Sequence, residues 1–499
     1  MSMSRINHPV ALLAQLPHAQ VHGETGIAAW LLRVGDDEDG RARVHSDTRS
    51  LQREDCFVAI QGERFDANAL LAQVSAAGVG VALASSGLAG AKLAGVQVPD
   101  TRIALGQWAA AWRNTLNLPV IAVAGSNGKT TVTQMVASIL RAAQGKRALA
   151  TAGNFNNDIG VPLTLLRLRR HHSCAVVELG MNHPGEIAGL AAMVQPSVAL
   201  VNNAQREHLE FMHSVDAVAQ ENAAVFKALT AHGAAVFPHD DAYTHTWRQA
   251  VQALDRDITV WTFSDHDTHA TVFGTAQWLG TAWQLHMRTP QGDIDVEVAV
   301  AGQHNVRNAL AATACALASG VSLSAVAQGL RNFEAVSGRS RAVLLHRGQQ
   351  PVTLVDDSYN ANPDSVQAAV AMLAAMPSPR WLVLGDMGEV GEQGVAYHQE
   401  VLLAALEAGI ERIDVVGAWW QQVVGENADT SAAAEVVQWH AHVDELAQVA
   451  CKLGGNAASV LVKGSRFMKM ERVVQALELA WPDGGLADVI HQKGAGHAA

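Results

Sequence analysis

Apolar runs and polar loops alternate along the chain. The sharpest instance is Val120-Ile121-Ala122-Val123-Ala124 followed by Gly125-Ser126-Asn127-Gly128-Lys129-Thr130-Thr131. An uninterrupted, largely β-branched run predicts a strand buried on both faces. Val132, Met135, Val136, Ile139 and Leu140 then recur at helical spacing, so the unit reads as strand, glycine loop, helix. Similar runs lie at 56–60, 174–177, 197–201, 352–355, 381–384, 413–416 and 459–462, with helical stretches between most of them. This alternation predicts α/β sheets. Residues 258–287 read as strand-rich, with Asp265 to His269 as a solvated hairpin loop. Helices are expected over 106–118, from 162 to about 168, and from about 302 to a C-terminal cap at Gly320. Asn362 and Pro363 suit an N-cap and a first helical residue. Residues 70–91 carry no charge, but their Ala, Gly and Ser content predicts helix, strand and loop rather than a membrane span.

The breaks in this pattern divide the 499 residues into 1–115, 116–336 and 337–499. With 49% hydrophobic and 16% charged residues the chain is a well-buried globular protein. A net charge of −12 argues against a general binder of nucleic acid or anionic membranes, so anionic ligands need local positive sites. Cys56, Cys174, Cys315 and Cys451 are far apart and form no CxxC pair, as expected of reduced thiols in a cytoplasmic protein. Met1 to Pro17 lacks the basic and apolar regions of a signal peptide, and no membrane insertion is expected.

The loop at 125–131 has the chemistry of a phosphate cradle. Its backbone N–H groups and the following helix N-terminus favour an anion, Lys129 can reach terminal phosphates, and the Thr130 hydroxyl can ligate Mg²⁺. The usual G-x-x-x-x-G-K-[ST] pattern would place glycine at Val123, so this is a variant loop. Glu178 ends a strand beside it, where a carboxylate can hold a metal near a nucleotide. The amide-rich stretch 153–160 suits either turns or a polar substrate. His208 and His213 are five apart, which excludes an H-E-x-x-H zinc site. From spacing alone, Asp47 and Arg49 are a surface ion pair. No G-x-G-x-x-G follows a strand, so the last sheet makes no case for NAD.

Five motifs, in this order, closely resemble the Mur ligase family of cell-wall peptide ligases over nearly the whole chain. They are Gly125 to Thr131, Glu178-Leu179-Gly180, the His208 segment, Gly302-Gln303-His304-Asn305 with Asn308, and Gly338-Arg339. The loops at 153–160, 356–363, 384–387 and 462–466 look like the branch that adds D-alanyl-D-alanine to UDP-N-acetylmuramoyl-tripeptide. The resemblance implies an α/β chain of three domains. A central P-loop, parallel-sheet ATPase domain is flanked by a small N-terminal α/β domain for the UDP precursor and a C-terminal Rossmann-like domain that closes over ATP and brings the amine.

It also implies ATP and Mg²⁺ as cofactors. By similarity, Gly125, Ser126, Asn127, Gly128, Lys129, Thr130 and Thr131 hold the phosphates. Glu178 and His208 fall on second-metal positions, Thr130 on a first. Asn305 and Asn308 match adenine-side residues, Arg339 a phosphate-sensing arginine and Asp357 a ribose contact. Asp47, Thr48 and Arg49 match the uridine site, and Asn154 and Asn157 precursor contacts. Lys129, Glu178, His208 and Arg339 form the implied catalytic set.

Many members carry a carbamylated lysine where this chain has Asn222, and Lys227 is out of register, so no carbamylation is expected. Either Asn222 or Glu221 supplies what is needed, or the second Mg²⁺ is held more weakly. The implied chemistry is amide synthesis through an acyl phosphate, by a monomer that binds no nucleic acid. The alternatives are another amino-acid ligase of the same scaffold, such as a folylpolyglutamate synthase, or a nucleotide-binding module without ligase chemistry.

Overall fold

The computed structural model describes residues 7–481 apart from 36, 38–39, 63–64 and 427–434. Glu63 and Arg64, in the polar loop that follows the apolar run at 56–60, therefore lie outside the described residues, as do both chain ends. Three sheets follow one another. The first contains β1 (Gln20–His22), β2 (Val44–His45), β3 (Cys56–Val58), β4 (Val81–Ala84) and β5 (Ala94–Gln97), in the order β1-β5-β4-β3-β2. Only β1 runs antiparallel to its neighbour.

The second sheet has nine strands: β6 (Val120–Ala124), β7 (Ala148–Ala150), β8 (Cys174–Glu178), β9 (Val198–Val201), β10 (Ala234–Pro238), β11 (Thr259–Ser264), β12 (Val272–Trp278), β13 (Trp283–Thr289) and β14 (Gly292–Val298). Their order is β14-β13-β12-β11-β10-β9-β6-β8-β7, parallel except across β12, β13 and β14. β6 lies between β8 and β9, with all five of its residues buried. A strand covered on both faces has no polar side to present, which explains its unbroken apolar run. The chain leaves β6 towards β7 and later returns to the other side at β9, so the loop after β6 opens at a topological switch point.

The third sheet contains β15 (Arg341–Arg347), β16 (Gln350–Asp357), β17 (Arg380–Gly385), β18 (Arg412–Val416), β19 (Val437–His440) and β20 (Ser459–Lys463), ordered β15-β16-β20-β17-β18-β19. β15 alone is antiparallel.

Seven helices matter below: α1 (Thr101–Arg113), α2 (Lys129–Gln144), α3 (Val215–Ala223), α4 (His304–Ala318), α5 (Pro363–Ala374), α6 (Gly394–Glu407) and α7 (Ala418–Glu426). α1 starts five residues before the expected helix because the Asp100 side chain caps it, accepting from Arg102 N and Ile103 N. The segment at 265–269 is not a hairpin loop. β11 and β12 pair in parallel through Phe263–Val272 and Ser264–Phe273, and Asp265 is drawn in against Arg307 at 3.1 Å. A carboxylate with an arginine partner has reason to leave solvent, which a count of polar residues does not register. Among the described residues no helix is long and apolar enough to cross a membrane.

The first two sheets share one core. Trp108 and Trp112 of α1 are fully buried in it, between residues such as Leu13 and Cys56 on one side and Val120 and Leu190 on the other. Trp108 Nε1 donates to Pro9 O at 2.8 Å and Trp112 Nε1 to Leu168 O at 3.0 Å. The Arg113 guanidinium donates to four backbone carbonyls, of Leu116, Leu118, Val194 and Gln195. Arg169 reaches across from the second sheet to Asp37 at 2.8 Å and the Ala42 carbonyl at 3.1 Å. The third sheet has its own cores on its two faces.

His8 sits beside Arg169 in that junction, donating from Nε2 to Ala42 O and accepting Val10 N–H at Nδ1. Burial, with the neighbouring arginine charge, lowers its pKa from 6.5 to about 3. Burial likewise brings His398 to about 4. Between these values and 6.5 the unfolded chain binds protons that the folded chain refuses. Stability is therefore full above the unfolded value and declines as pH falls towards the folded ones. Denaturant unfolding is expected to show a lower midpoint at about pH 5 than at about pH 7. His8→Asn, which keeps an acceptor for Val10 N–H, should narrow that difference.

Candidate active site

β6 delivers its loop into a cavity of about 1090 Å³ that the second and third sheets line from opposite sides. Amide side chains from the end of β9 and from α3 fix the rear of the loop. Gly125 N donates to Asn222 Oδ1 at 2.9 Å and Asn127 N to Asn203 Oδ1 at 2.8 Å. The Asn127 carbonyl accepts from both Asn202 and Asn203. Asn202 continues to Asn308 Oδ1 at 2.9 Å, Asn308 donates to Asn305 Oδ1 at 2.7 Å, and Asn305 donates to Ala301 O at 2.7 Å. Asn305 and Asn308 thus share a face of α4, as their spacing predicts. Their amides buttress the loop while the residues also line the cavity.

Gly128 must be glycine. Its φ is +82°, and a Cβ there would lie 2.4 Å from Asn308 Oδ1 and 2.7 Å from Asn202 Nδ2. α2 then begins with no side-chain cap, unlike α1, so its first N–H groups stay open towards the cavity.

Lys129 folds back on its own loop. Its Nζ donates to Gly125 O at 2.7 Å, Ser126 O at 2.8 Å and Glu207 Oε1 at 2.7 Å. Burial would raise the Glu207 pKa, but Lys129 and His208 outweigh it and hold the carboxyl below its usual value. His208 lies with Nδ1 2.5 Å from Glu389 Oε2 and Nε2 3.6 Å from Glu207 Oε1. Burial lowers its pKa, yet the two carboxylates raise it to about 9, so the ring is an imidazolium here. Coordination of a metal would require that proton to leave.

Glu178 ends β8, and its Oε1 accepts from Asn156 Nδ2 at 2.8 Å. Its Oε2 and the Thr130 hydroxyl are buried without a hydrogen-bond partner. Two such orphaned oxygens lining one cavity suit a hard divalent cation. Among the described residues no three His, Cys, Asp or Glu side chains converge as a metal cluster.

The third sheet supplies the opposite wall. Arg339 forms no ion pair among the described residues; it stacks on the Tyr359 ring at 4.1 Å. Other cations of the cavity are neutralised: Arg102 by Asp158, Arg307 by Asp240 and Asp265, and Lys463 by Asp357 at 2.6 Å. Asp357 also accepts from Ser340 N at 2.9 Å, so both its oxygens are engaged. Asn154 lines the cavity, as does Asn157, whose Oδ1 accepts from Gly160 N at 2.8 Å. Asp47, Thr48 and Arg49 are not brought to it. Asp47 caps the turn at 48–50 and pairs with Arg49 at 2.6 Å in solvent. Asn222 and Glu221 do not line it either. Asn222 serves Gly125, and Glu221 accepts from Ile187 N at 2.9 Å.

Sequence reasoning missed Asn156, Glu207 and Asn362. Asn362 caps α5, as expected, but also exchanges amide hydrogen bonds with Asn127 of the phosphate loop, at 2.9 and 3.3 Å. The capping signal is local, whereas that contact spans 235 positions. Polar loop 385–389 is structural in part: Asp386 accepts from Ala418 N, Trp419 N and Trp420 N at the start of α7.

A switch-point phosphate loop facing a second α/β sheet across one cavity defines a multidomain nucleotide-dependent enzyme. The Mur ligase middle domain matches residues 123–316, and the Mur ligase, glutamate ligase domain matches 338–466. The UDP-N-acetylmuramoyl-tripeptide–D-alanyl-D-alanine ligase of Escherichia coli (strain K12) is 40% identical over 448 residues, covering 87% of this chain and 93% of that protein. A crystal structure of MurF from Acinetobacter baumannii is 35% identical with a TM-score of 0.77, covering 87% and 93%. MurF from Thermotoga maritima, in complex with ADP, shares the fold at 21% identity and a TM-score of 0.73, covering 89% and 98%. The chain belongs to the Mur ligase family.

Gly128→Ala should strain the loop by about 1–3 kcal/mol. ADP titration of the folded variant is expected to show affinity reduced by about tenfold or more.

Proposed function

We propose that the protein is an ATP-dependent ligase that joins D-alanyl-D-alanine to the terminal carboxylate of UDP-N-acetylmuramoyl-tripeptide, giving the pentapeptide precursor of peptidoglycan. One observation carries the reading. Over nearly its whole length the chain is 40% identical to a ligase of that name, and an uncapped, amide-buttressed phosphate loop faces its C-terminal domain. The family makes it an enzyme that forms C–N bonds at the expense of ATP.

A carboxylate is a poor acyl donor because its oxygen leaves badly. Transfer of the γ-phosphoryl of ATP turns that oxygen into phosphate, and the dipeptide's free amine then displaces it. No side-chain nucleophile is needed; positioning and charge stabilisation suffice. Lys129 exchanges the Gly125 and Ser126 carbonyls for phosphate oxygens. Arg339, which forms no ion pair among the described residues, would meet charge that develops on the transferring group from the opposite wall. Asn154 and Asn157, which line the same cavity, would meet the precursor's peptide end.

The Thr130 hydroxyl and Glu178 Oε2 fit Mg²⁺ and would hold it, where it would neutralise phosphate charge. Asn156 fixes the Glu178 carboxylate for that role. His208 could join only after giving up its proton and leaving Glu389. Asn222 is committed to the loop backbone, and this reading assigns no carbamylated lysine to that position.

A phosphate-release assay tests the reading. Release should require ATP, the tripeptide precursor and D-alanyl-D-alanine together; release indifferent to the dipeptide would exclude it. Lys129→Ala is expected to lower turnover by about 10²–10³ with the circular dichroism spectrum unchanged. Added bicarbonate should leave wild-type activity unaltered, and intact mass should show no carbamate on any lysine.

A further inference from the structure

Four consecutive residues after β9 touch two domains in alternation. Gln205 and Glu207 hold the phosphate loop. Gln205 N donates to Ser126 Oγ at 3.0 Å, Gln205 Oε1 accepts from Asn127 Nδ2 at 2.6 Å, and Glu207 accepts from Lys129 at 2.7 Å. Arg206 and His208 hold the C-terminal domain. The Arg206 Nε and Nη2 donate to Asp364 Oδ1 at 2.9 and 2.6 Å, and its backbone N donates to Asp364 Oδ2 at 2.7 Å. The same guanidinium donates to Glu400 Oε2 at 2.9 Å and Oε1 at 3.1 Å, and lies 5.3 Å from the centre of the Tyr397 ring. His208 reaches Glu389.

The place of Asp364 gives this arrangement its consequence. It is the second residue of α5, and the cap of that helix, Asn362, exchanges amide hydrogen bonds with Asn127. One arginine therefore fixes the helix start that rests on the phosphate loop, and through Glu400 also fixes α6. Planar, forked donors suit such a two-carboxylate site, where a lysine could serve only one partner well. Few apolar residues join the two domains here; Ala301 and Trp278 are the central-domain members of the third-sheet core. Directional polar contacts thus set the docking angle.

We propose that Arg206 is a positioning residue for the ligase reaction: acting through Asp364 and Glu400, it seats the C-terminal domain on the phosphate loop so that amine and acyl phosphate meet. Nucleotide binding to the loop itself does not need Arg206. The inference rests on the ligase reading, because only a reaction divided between two domains requires their registration.

The test is a double-mutant cycle on the full chain: Arg206→Ala, Asp364→Ala and both, with Arg206→Lys beside them. The readouts are kcat for phosphate release with all substrates, ADP dissociation constant by direct titration, and thermal midpoint. Arg206→Ala is expected to lower kcat about tenfold while the ADP constant stays within about twofold. Arg206→Lys should recover part of the loss, and the double variant should be no slower than Arg206→Ala alone. An Arg206→Ala kcat within about twofold of wild type would overturn the proposal. So would losses that multiply in the double variant, or a kcat loss matched by an equal loss of ADP affinity and a lower thermal midpoint. Wild-type phosphate release that ignores the dipeptide would instead sink the ligase reading.

Discussion

The structure depends on holding one short loop rigid from behind while its front stays unsatisfied. A turn that points backbone N–H groups at an anion cannot also use them internally, so other groups must fix it. Here they are the amides of Asn202, Asn203 and Asn222, delivered by β9 and α3. Their bonds end on Gly125 N, Asn127 N and Asn127 O. The N-terminus of α2 is left uncapped and the Thr130 hydroxyl unpartnered, facing the cavity. Several other helix starts are closed by carboxylates or amides, as Asp100, Asn362 and Asp386 do.

That rigid loop sits in a body of uneven stiffness. The first two sheets share a continuous apolar core through Trp108 and Trp112, and Arg113 and Arg169 tie their backbones together. Separating them would expose both tryptophans and strand buried guanidinium groups, at a cost of several kcal/mol. The third sheet packs on separate cores and meets the others chiefly through polar pairs. Such pairs exchange for water more readily than a shared apolar core opens. The first two sheets therefore belong to one unit, and the C-terminal domain is the part that can move.

Much of this was legible in the sequence because its signals are local. The buried strand at 120–124, the glycine loop, the cap at Asn362 and the end of α4 at Gly320 follow from a few adjacent residues. The α/β order followed from alternating runs. The rest depended on contacts between distant positions. Asn222 reads as a gap in a motif until its oxygen is found on Gly125 N, 97 positions away. Glu207 reads as a neighbour of His208 until Lys129 is found on it. β14 alternates Ile294, Val296 and Val298 with Asp293, Asp295 and Glu297, a half-buried pattern that is also local. The parallel return of β12 beside β11 leaves no local trace, since the same turn residues serve either direction.

The pairing of Lys129 with Glu207 bears on how the loop changes hands. With its ammonium already satisfied by two carbonyls and a carboxylate, Lys129 gains from phosphate only the difference between the two sets of partners. Glu207 would then be a buried carboxylate deprived of its cation, a situation that costs about 3–5 kcal/mol when nothing replaces the partner. His208 stands 3.6 Å from that carboxylate with its own proton held up to about 9, so a positive charge remains beside Glu207 after Lys129 departs. Yet His208 is also bound to Glu389 of the C-terminal domain. The residual charge on one side of the loop is thus balanced by a residue whose other contact is the moving domain. Glu207 thus joins the lysine of the loop to a histidine whose other contact is the C-terminal domain.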